Sequence, residues 1–413
     1  MLKSRVWRRL LGLSGVKIVD VDLVADELVV RVALHRPQGQ GCGACRRHCP
    51  RYDRSRLRRR WRSLDLGTTK TFIEAEVIRV SCPDHGVVTE RVPWAAHDSR
   101  FTKAFEEQAA WLVVECSKTA VAHLMRVSWR TVGRILERVA TRLQPKGRRR
   151  LAGLRRIGID EISFRKGHRY LTVVVDHVSG RLLWAAEGRD EETLRHFFVE
   201  LGRSRCRGIT HVSANGAWWI THVVRFYCPK AVIGLDPFHA VAWATKALDE
   251  VRREVWNDAR RSGDHAHARR LKRARYALWK NAENLTDNQV GKLAWIQRVN
   301  QPLFRAHLLK EHLRLVFQLP FDDAVLLLEE WMQWAWRSRI DAFVRLGDTM
   351  ANHIDAILVT LEHRLSNALV EAVNTRIRLL TRRAFGFHSS RPLIALAMLS
   401  FGGFRPALPG RAA

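Results

Sequence analysis

Acidic residues are scarce in this chain. Its 413 residues carry 41 Asp and Glu against 71 Lys and Arg, a formal charge of +30, with a pI near 11.1. Such an imbalance implies a polyanionic partner, because neutralising phosphates releases their counterions. Ribosomal and membrane-surface proteins share the bias, so charge alone does not name the polyanion. Long hydrophobic runs are missing too: nothing approaches the ~18 apolar residues that a membrane span needs. The opening MLKSRVWRRLLGL is basic and apolar, but it has neither a long apolar region nor a small-residue cleavage site, so no secretory signal is expected. Cysteine is sparse, seven in all, without the density of a disulfide scaffold, which points to a reducing compartment. Internal repeats and low-complexity tracts are absent. These absences leave a cytoplasmic protein of two or three domains, long enough to bury substantial cores.

What is present divides the chain into successive regions. Residues 1–95 hold clustered cysteines and alternating strand patterns such as VDVDLVADELVVRVAL; residues 96–150 are helical and run into an arginine-rich linker, QPKGRRRLAGLRR. From Ile157 the pattern turns to α/β. RIGIDEISF, HRYLTVVVDHVSG and RLLWAAEGR read as three consecutive strands, and EETLRHFFVELG as a helix capped by Gly202. ITHVSANG is a fourth strand, AWWITHVVRFYCP a helix and KAVIGLDPF a fifth strand. Three antiparallel strands followed by helix-covered parallel ones are the order of a ribonuclease-H-like core. Residues 151–240 form its first part. Residues 241–355 are an all-helical insertion, whose tryptophans read as core with one or two free to stack on an extruded base. Residues 356–413 return to the core with a last long helix, SNALVEAVNTRIRLLTRRAFGF. The expected fold class is multidomain α+β.

The N-terminal region carries two matched knuckles. CGAC sets Cys42 and Cys45 two residues apart, and SCPDHG sets Cys82 and His85 at the same spacing, which lets three thiolates and an imidazole approach one zinc ion tetrahedrally. Cys49 and His48 are rivals for the fourth position. Between the knuckles, RYDRSRLRRRWR holds seven arginines and one aspartate beside Tyr52 and Trp61. Arginine this dense suits phosphate clamping, with Arg56, Arg58, Arg59, Arg60 and Arg62 as the candidates. Farther on, SKTAVAHLMRVSWRTVGRILERVATRL reads as two helices about a turn at Val127 and Ser128. Its second helix would present Trp129, Arg130, Thr131 and Arg134 to a major groove.

Asp160 lies mid-strand in IGIDEISF, where a buried carboxylate needs a partner, while its neighbour Glu161 points to the opposite face. A ribonuclease-H-like site brings carboxylates from adjacent strands onto two Mg²⁺ ions about 3.5–4 Å apart. Asp160 would meet residue 215, at the end of the fourth strand, and that residue is Asn215, a neutral amide. In the last helix Asn367, Glu371, Asn374 and Arg378 fall on one polar stripe, with Leu369, Val373, Ile377 and Leu380 on the opposite side. Glu371 is the candidate third ligand.

Three long stretches, IGIDEISFRKGHRYLTVVVDHVSGRLLW, DPFHAVAWATKALDEVRREVW and SNALVEAVNTRIRLLTRRAFGFHSSRPLIALAMLSFGG, resemble the IS-L-three family of bacterial insertion-sequence transposases. The resemblance covers essentially the whole chain. It implies a DDE triad of Asp160, the position of Asn215 and Glu371. It further implies an accessory Asp-x-x-His element at Asp236 and His239, zinc on Cys42, Cys45, Cys82 and His85, and Mg²⁺ or Mn²⁺ at the triad. The implied partner is double-stranded DNA, as transposon ends and target, bound by at least a homodimer at the nucleoid and not by a membrane. Where the family has an aspartate, Asn215 cannot supply the negative charge that holds two cations close together, so impaired cleavage with surviving DNA binding is expected. The amide is either a deliberate change or natural decay, unless Asp236 takes over as ligand.

Overall fold

In the computed structural model, which describes residues 2–35, 41–53, 56–145 and 150–411, the alternating pattern near the start forms a hairpin after a short helix. Helix α1 (Leu2–Leu10) is followed by β1 (Val16–Val24) and β2 (Glu27–Leu34). Ala25 and Asp26, which join the two strands, both have positive φ, the backbone twist that a tight two-residue hairpin requires. β3 (Leu57–Arg62) and β4 (Lys70–Val77) complete a sheet of order β1-β2-β4-β3, and β5 (Arg79–Cys82) with β6 (Gly86–Thr89) makes a separate small hairpin. The inward residues Val30, Val32, Ile73 and Ala75 pack with Trp61 and Trp94. Three helices follow: α2 (Lys103–Glu115), α3 (Lys118–Leu124) and α4 (Trp129–Leu143). Ser117 and Ser128 cap the last two, each hydroxyl accepting from the backbone N–H three residues on.

The chain divides into two compact units, Met1–Pro145 with Leu380–Ala413, and Lys146–Leu379. Linker residues 146–149 lie outside the described residues. The second unit holds the expected three strands, β7 (Arg156–Arg165), β8 (Arg169–Asp176) and β9 (Leu182–Glu187), each antiparallel to the next. Next come α5 (Glu191–Leu201), α6 (Arg203–Cys206), β10 (His211–Ala214), α7 (Trp218–Tyr227), β11 (Val232–Leu235) and α8 (Pro237–Arg261). β10 joins the free edge of β7 in parallel and β11 joins β10, giving the order β11-β10-β7-β8-β9. Odd-numbered Ile157 and Ile159 pack with Phe197, Phe198, Val223 and Val224 on one face of this sheet. Even-numbered Gly158 and Asp160 take the other.

The insertion is all-helical, as expected: α9 (His265–Arg273), α10 (Arg275–Trp279), α11 (Asp287–Val299), α12 (Gln301–Val316), α13 (Phe321–Arg337), α14 (Asp341–Asn352) and α15 (Ile354–His363). Most of its tryptophans are scaffold. Trp295 and Trp331 lie in the core, and Trp243, Trp256, Trp279 and Trp334 pack against it. Trp336 is more open, with its indole N–H donated to Asp348 at 3.0 Å.

The C-terminal region departs from expectation. The long helix forms as α16 (Ala368–Arg383), but it is not the last, because α17 (Ser390–Phe401) follows it. Residues 356–413 were expected together in the core, yet from Leu380 onward they belong to the N-terminal unit, where α17 packs against α4 and α2. The cause is composition: α17 buries Leu393, Leu396, Ala397, Met398 and Leu399, an apolar surface too broad for a solvated helix. Among the described residues, no helix is long and apolar enough to cross a membrane.

Candidate active site and metal centre

The second unit brings together two buried carboxylates, one within β7 and one just after β11. Asp160, in the middle of β7, is buried, and the amide of Asn374 on α16 donates to its Oδ2 at 2.8 Å. Asp236 directly follows β11 and begins α8; its Oδ1 accepts the backbone N–H of Asn367 at 3.0 Å. His239, one turn into α8, bridges them, its Nε2 lying 4.0 Å from Asp160 Oδ1 and 3.9 Å from Asp236 Oδ2. Burial is the main force on both acids. It pushes Asp160 up to about 6, with His239 opposing and the charges of Glu371 and Glu161 adding to the rise. Asp236 is raised for the same reasons, burial first and the Glu371 charge among the smaller ones. Glu371 is the most open of the three and lies 3.8 Å from Arg378.

Close docking of α16 makes this arrangement. Val370, Val373 and Ile377 are buried, and Val370 rests on Gly158 of β7. A Cβ at 158 would fall inside the radius of Val370 Cγ2 and 2.9 Å from His177 Nε2, so only glycine lets the helix lie so near the strand. His177 Nε2 is 2.6 Å from the Ser213 hydroxyl, which in turn donates to Asn367 Oδ1. The polar stripe expected on α16 is therefore split. Asn367 and Asn374 are fully buried, while Glu371 is partly open and Arg378 exposed. Leu369, assigned to the opposite buried side, is exposed. Asn374 Oδ1 and Asn367 Nδ2 have no hydrogen-bond partner among the described residues, an omission that costs about 1–3 kcal/mol each in a closed interior.

Asn215 sits where the second acidic position was expected, just beyond β10. Ser213, two residues earlier, faces α16, so strand alternation alone would carry residue 215 to the side of Asp160. The backbone bends first. Asn215 Oδ1 accepts from the N–H of Ala217 at 3.1 Å, and Nδ2 donates to Glu161 Oε2 at 2.9 Å. Glu161 does point to the face opposite Asp160, where Arg189 lies 3.4 Å away. The acid that shares His239 with Asp160 is thus Asp236, read from the sequence as accessory. The signal that could have raised it is its position after β11, which repeats that of residue 215 after β10.

In the N-terminal unit, Cys42, Cys45, Cys82 and His85 bring one ligand atom each within 4.8 Å of one another. Cys45 Sγ lies 3.7 Å from Cys82 Sγ, and Cys82 Sγ 3.6 Å from His85 Nδ1. Tetrahedral zinc with bonds of about 2.3 Å to sulfur and 2.0–2.1 Å to nitrogen sets such edges at about 3.5–3.8 Å, so these residues fit the ion. Burial opposes ionisation of Cys82, but hydrogen bonds from His85 and the Asp84 backbone bring it down to about 6. Of the rivals, Cys49 Sγ is turned to the Arg47 carbonyl at 3.3 Å, and His48 is exposed.

The expected DNA contacts fare unevenly. Arg130 and Arg134 are exposed on α4, free to reach a groove. Trp129 is not: its ring lies 3.1 Å from the buried Lys118 Nζ and packs edge-on against His388. Thr131 is held at the cap, 2.8 Å from the Ser128 hydroxyl. Of the arginine strand, Arg56 and Arg58 are exposed near Glu76 and Glu74, and Arg60 stacks on Phe72 while bonding Glu27. Arg59 is half-buried and bonds Thr89. Arg62 and Trp61 correct the sequence reading: both are buried, Arg62 against Asp65, Phe72 and Phe105 and Trp61 against Trp94. They pack inside the N-terminal unit.

Comparison with known proteins agrees with these parts. A family model described as a transposase matches residues 157–397. One for the helix-turn-helix domain of transposase family ISL3 matches residues 90–140, and one for the zinc-finger of transposase IS204/IS1001/IS1096/IS1165 matches residues 38–85. The transposase for insertion sequence element IS1557 of Mycobacterium tuberculosis is 50% identical over 100% of this chain and 98% of its own length. The transposase for insertion sequence element IS1001 of Bordetella parapertussis is 28% identical, over 90% of this chain and 89% of its own.

Proposed function

The chain belongs to the ISL3 family of insertion-sequence DDE transposases, and we propose that it binds the terminal inverted repeats of its element through the zinc ribbon and helix-turn-helix and cuts and joins DNA on a ribonuclease-H-like unit. The observation that carries this reading is the pair of buried acids, Asp160 and Asp236, facing one another across His239 with the charge of Glu371 acting on both. Asp160, Asp236 and Glu371 would hold Mg²⁺ or Mn²⁺, which when bound polarises the phosphodiester and activates a water or a freed 3′-hydroxyl for in-line attack.

The chain's own residues prepare that site. Asn374 fixes the orientation of Asp160, and the backbone of Asn367 fixes Asp236. His239 stands between the two acids as a polar spacer that relieves their mutual repulsion. Burial of both acids keeps bulk water from screening their charge. Asn215 occupies the second triad position without its charge, and its amide is engaged by Glu161. Residue 215 thus brings neither charge nor side chain to Asp160, Asp236 stands as the substitute ligand, and turnover is impaired for that reason. Pairing two ends requires at least a dimer on DNA.

The test is Mg²⁺- or Mn²⁺-dependent cleavage of end DNA by this chain, Asn215→Asp, Asp236→Asn and Asp160→Ala, with end binding measured alongside. Weak cleavage that rises at least ~10-fold in Asn215→Asp, and disappears in Asp236→Asn and Asp160→Ala with binding intact, is the expected pattern. A non-catalytic end-binding repressor is the alternative favoured by the neutral amide. End binding without cleavage in all four chains would establish it and sink the catalytic reading.

A further inference from the structure

The geometry points to Asn374 as a positioning residue whose side-chain carbonyl receives a proton donor from the hydration shell of a divalent cation at Asp160. This inference rests on the proposed metal site and goes beyond it. Asn374 is 0% exposed, on the buried side of α16 one turn after Glu371. Its Nδ2 donates to Asp160 Oδ2 at 2.8 Å, which fixes which end of the amide faces the carboxylate. The other end, Oδ1, sits on the same carbon and so lies beside Asp160, yet has no partner among the described residues. A buried carbonyl left open beside a metal-binding carboxylate is an acceptor awaiting a donor. Cation-bound water is the donor class that fits, because coordination would make its protons acidic and so strong donors to a buried carbonyl.

Asn367, 2% exposed and seven residues earlier on the same side of the helix, has the complementary deficit. Its Oδ1 accepts from Ser213, its backbone N–H serves Asp236, and its Nδ2 is the unpartnered atom. The two residues bracket Glu371, Asn374 holding Asp160 through its side chain and Asn367 holding Asp236 through its backbone N–H.

The discriminating substitution is Asn374→Leu, similar in volume and without either polar atom. Mn²⁺ binding by electron paramagnetic resonance and thermal melting in EDTA are measured on the full chain, on Asn215→Asp, and on both with Asn374→Leu. The expected result is a 10–100-fold loss of Mn²⁺ affinity with a cooperative melt retained in EDTA, the lost donor to Asp160 being offset by removal of the open buried carbonyl. Asn374→Ser, which restores a smaller acceptor, should recover part of the affinity. Unchanged Mn²⁺ affinity in Asn374→Leu would overturn the inference while leaving the metal site standing. Failure of this chain and of Asn215→Asp to bind Mn²⁺ at all would overturn both.

Discussion

At the scale of single residues, the site holds its acids against their own solvation. Asp160 has an ordinary value of 3.8 and is pushed up to about 6, chiefly by burial. Between those values the folded chain binds more protons than the unfolded chain. The stability this confers is complete below about pH 4 and is lost as pH rises through 6. Asp236 acts in the same direction. Asp160→Asn removes the penalty, so in EDTA its melting temperature should exceed that of the unaltered chain by a few degrees at pH 7 and fall less between pH 4 and 6.5, a difference on the order of 2 kcal/mol. Superimposable melting-temperature profiles for the two chains would contradict it. Asp160 stands out in the sequence because an acid on the inner face of an isoleucine-rich strand is costly to bury unless something binds it, and its burial is what the fold shows. The turn of Asn215 towards Glu161 is not legible there, because it depends on where the chain leaves β10, one residue after the last ladder pair.

At the scale of elements, spacing carried most of the information. The zinc knuckles, the alternating strands near the start, the helix-turn-helix and the succession of strands and helices from β7 to β11 follow from local periodicity or fixed ligand intervals. Which face an element buries was less legible. The arginines of residues 51–62 were read together as a phosphate clamp, but pairing of β3 with β4 sorts them, burying Arg62 with Trp61 and leaving Arg58 outside. On α4 the same sorting leaves Arg130 and Arg134 as the exposed cations of the first two turns. Each neutralises about one phosphate, so Arg130→Ala and Arg134→Ala should each weaken DNA binding and lower the slope of log affinity against log salt by about one. Trp129→Ala should instead lower thermal stability, since it uncovers the buried ammonium of Lys118, and leave that slope unchanged. A salt slope altered by Trp129→Ala and not by the arginine variants would reverse the assignment.

At the scale of the molecule, the chain leaves its N-terminal unit at Pro145 and re-enters it at Leu380. No local pattern announces this, because the partner of an apolar helix such as α17 is set by tertiary packing and not by its own period. Removing residues 390–413 should therefore destabilise the unit that carries the helix-turn-helix and weaken end binding, while Mn²⁺ binding by the other unit persists. Limited proteolysis and Mn²⁺ resonance on the shortened chain would check this. End binding at full strength would show α17 to be dispensable. The same re-entry sets an order of events during synthesis. As the chain emerges from the ribosome, α4 appears early but waits for α17 until the whole of the other unit has been translated. A chain cut short between α16 and α17 thus carries Asp160, Asp236 and Glu371 but leaves α4 without the helix that packs on it.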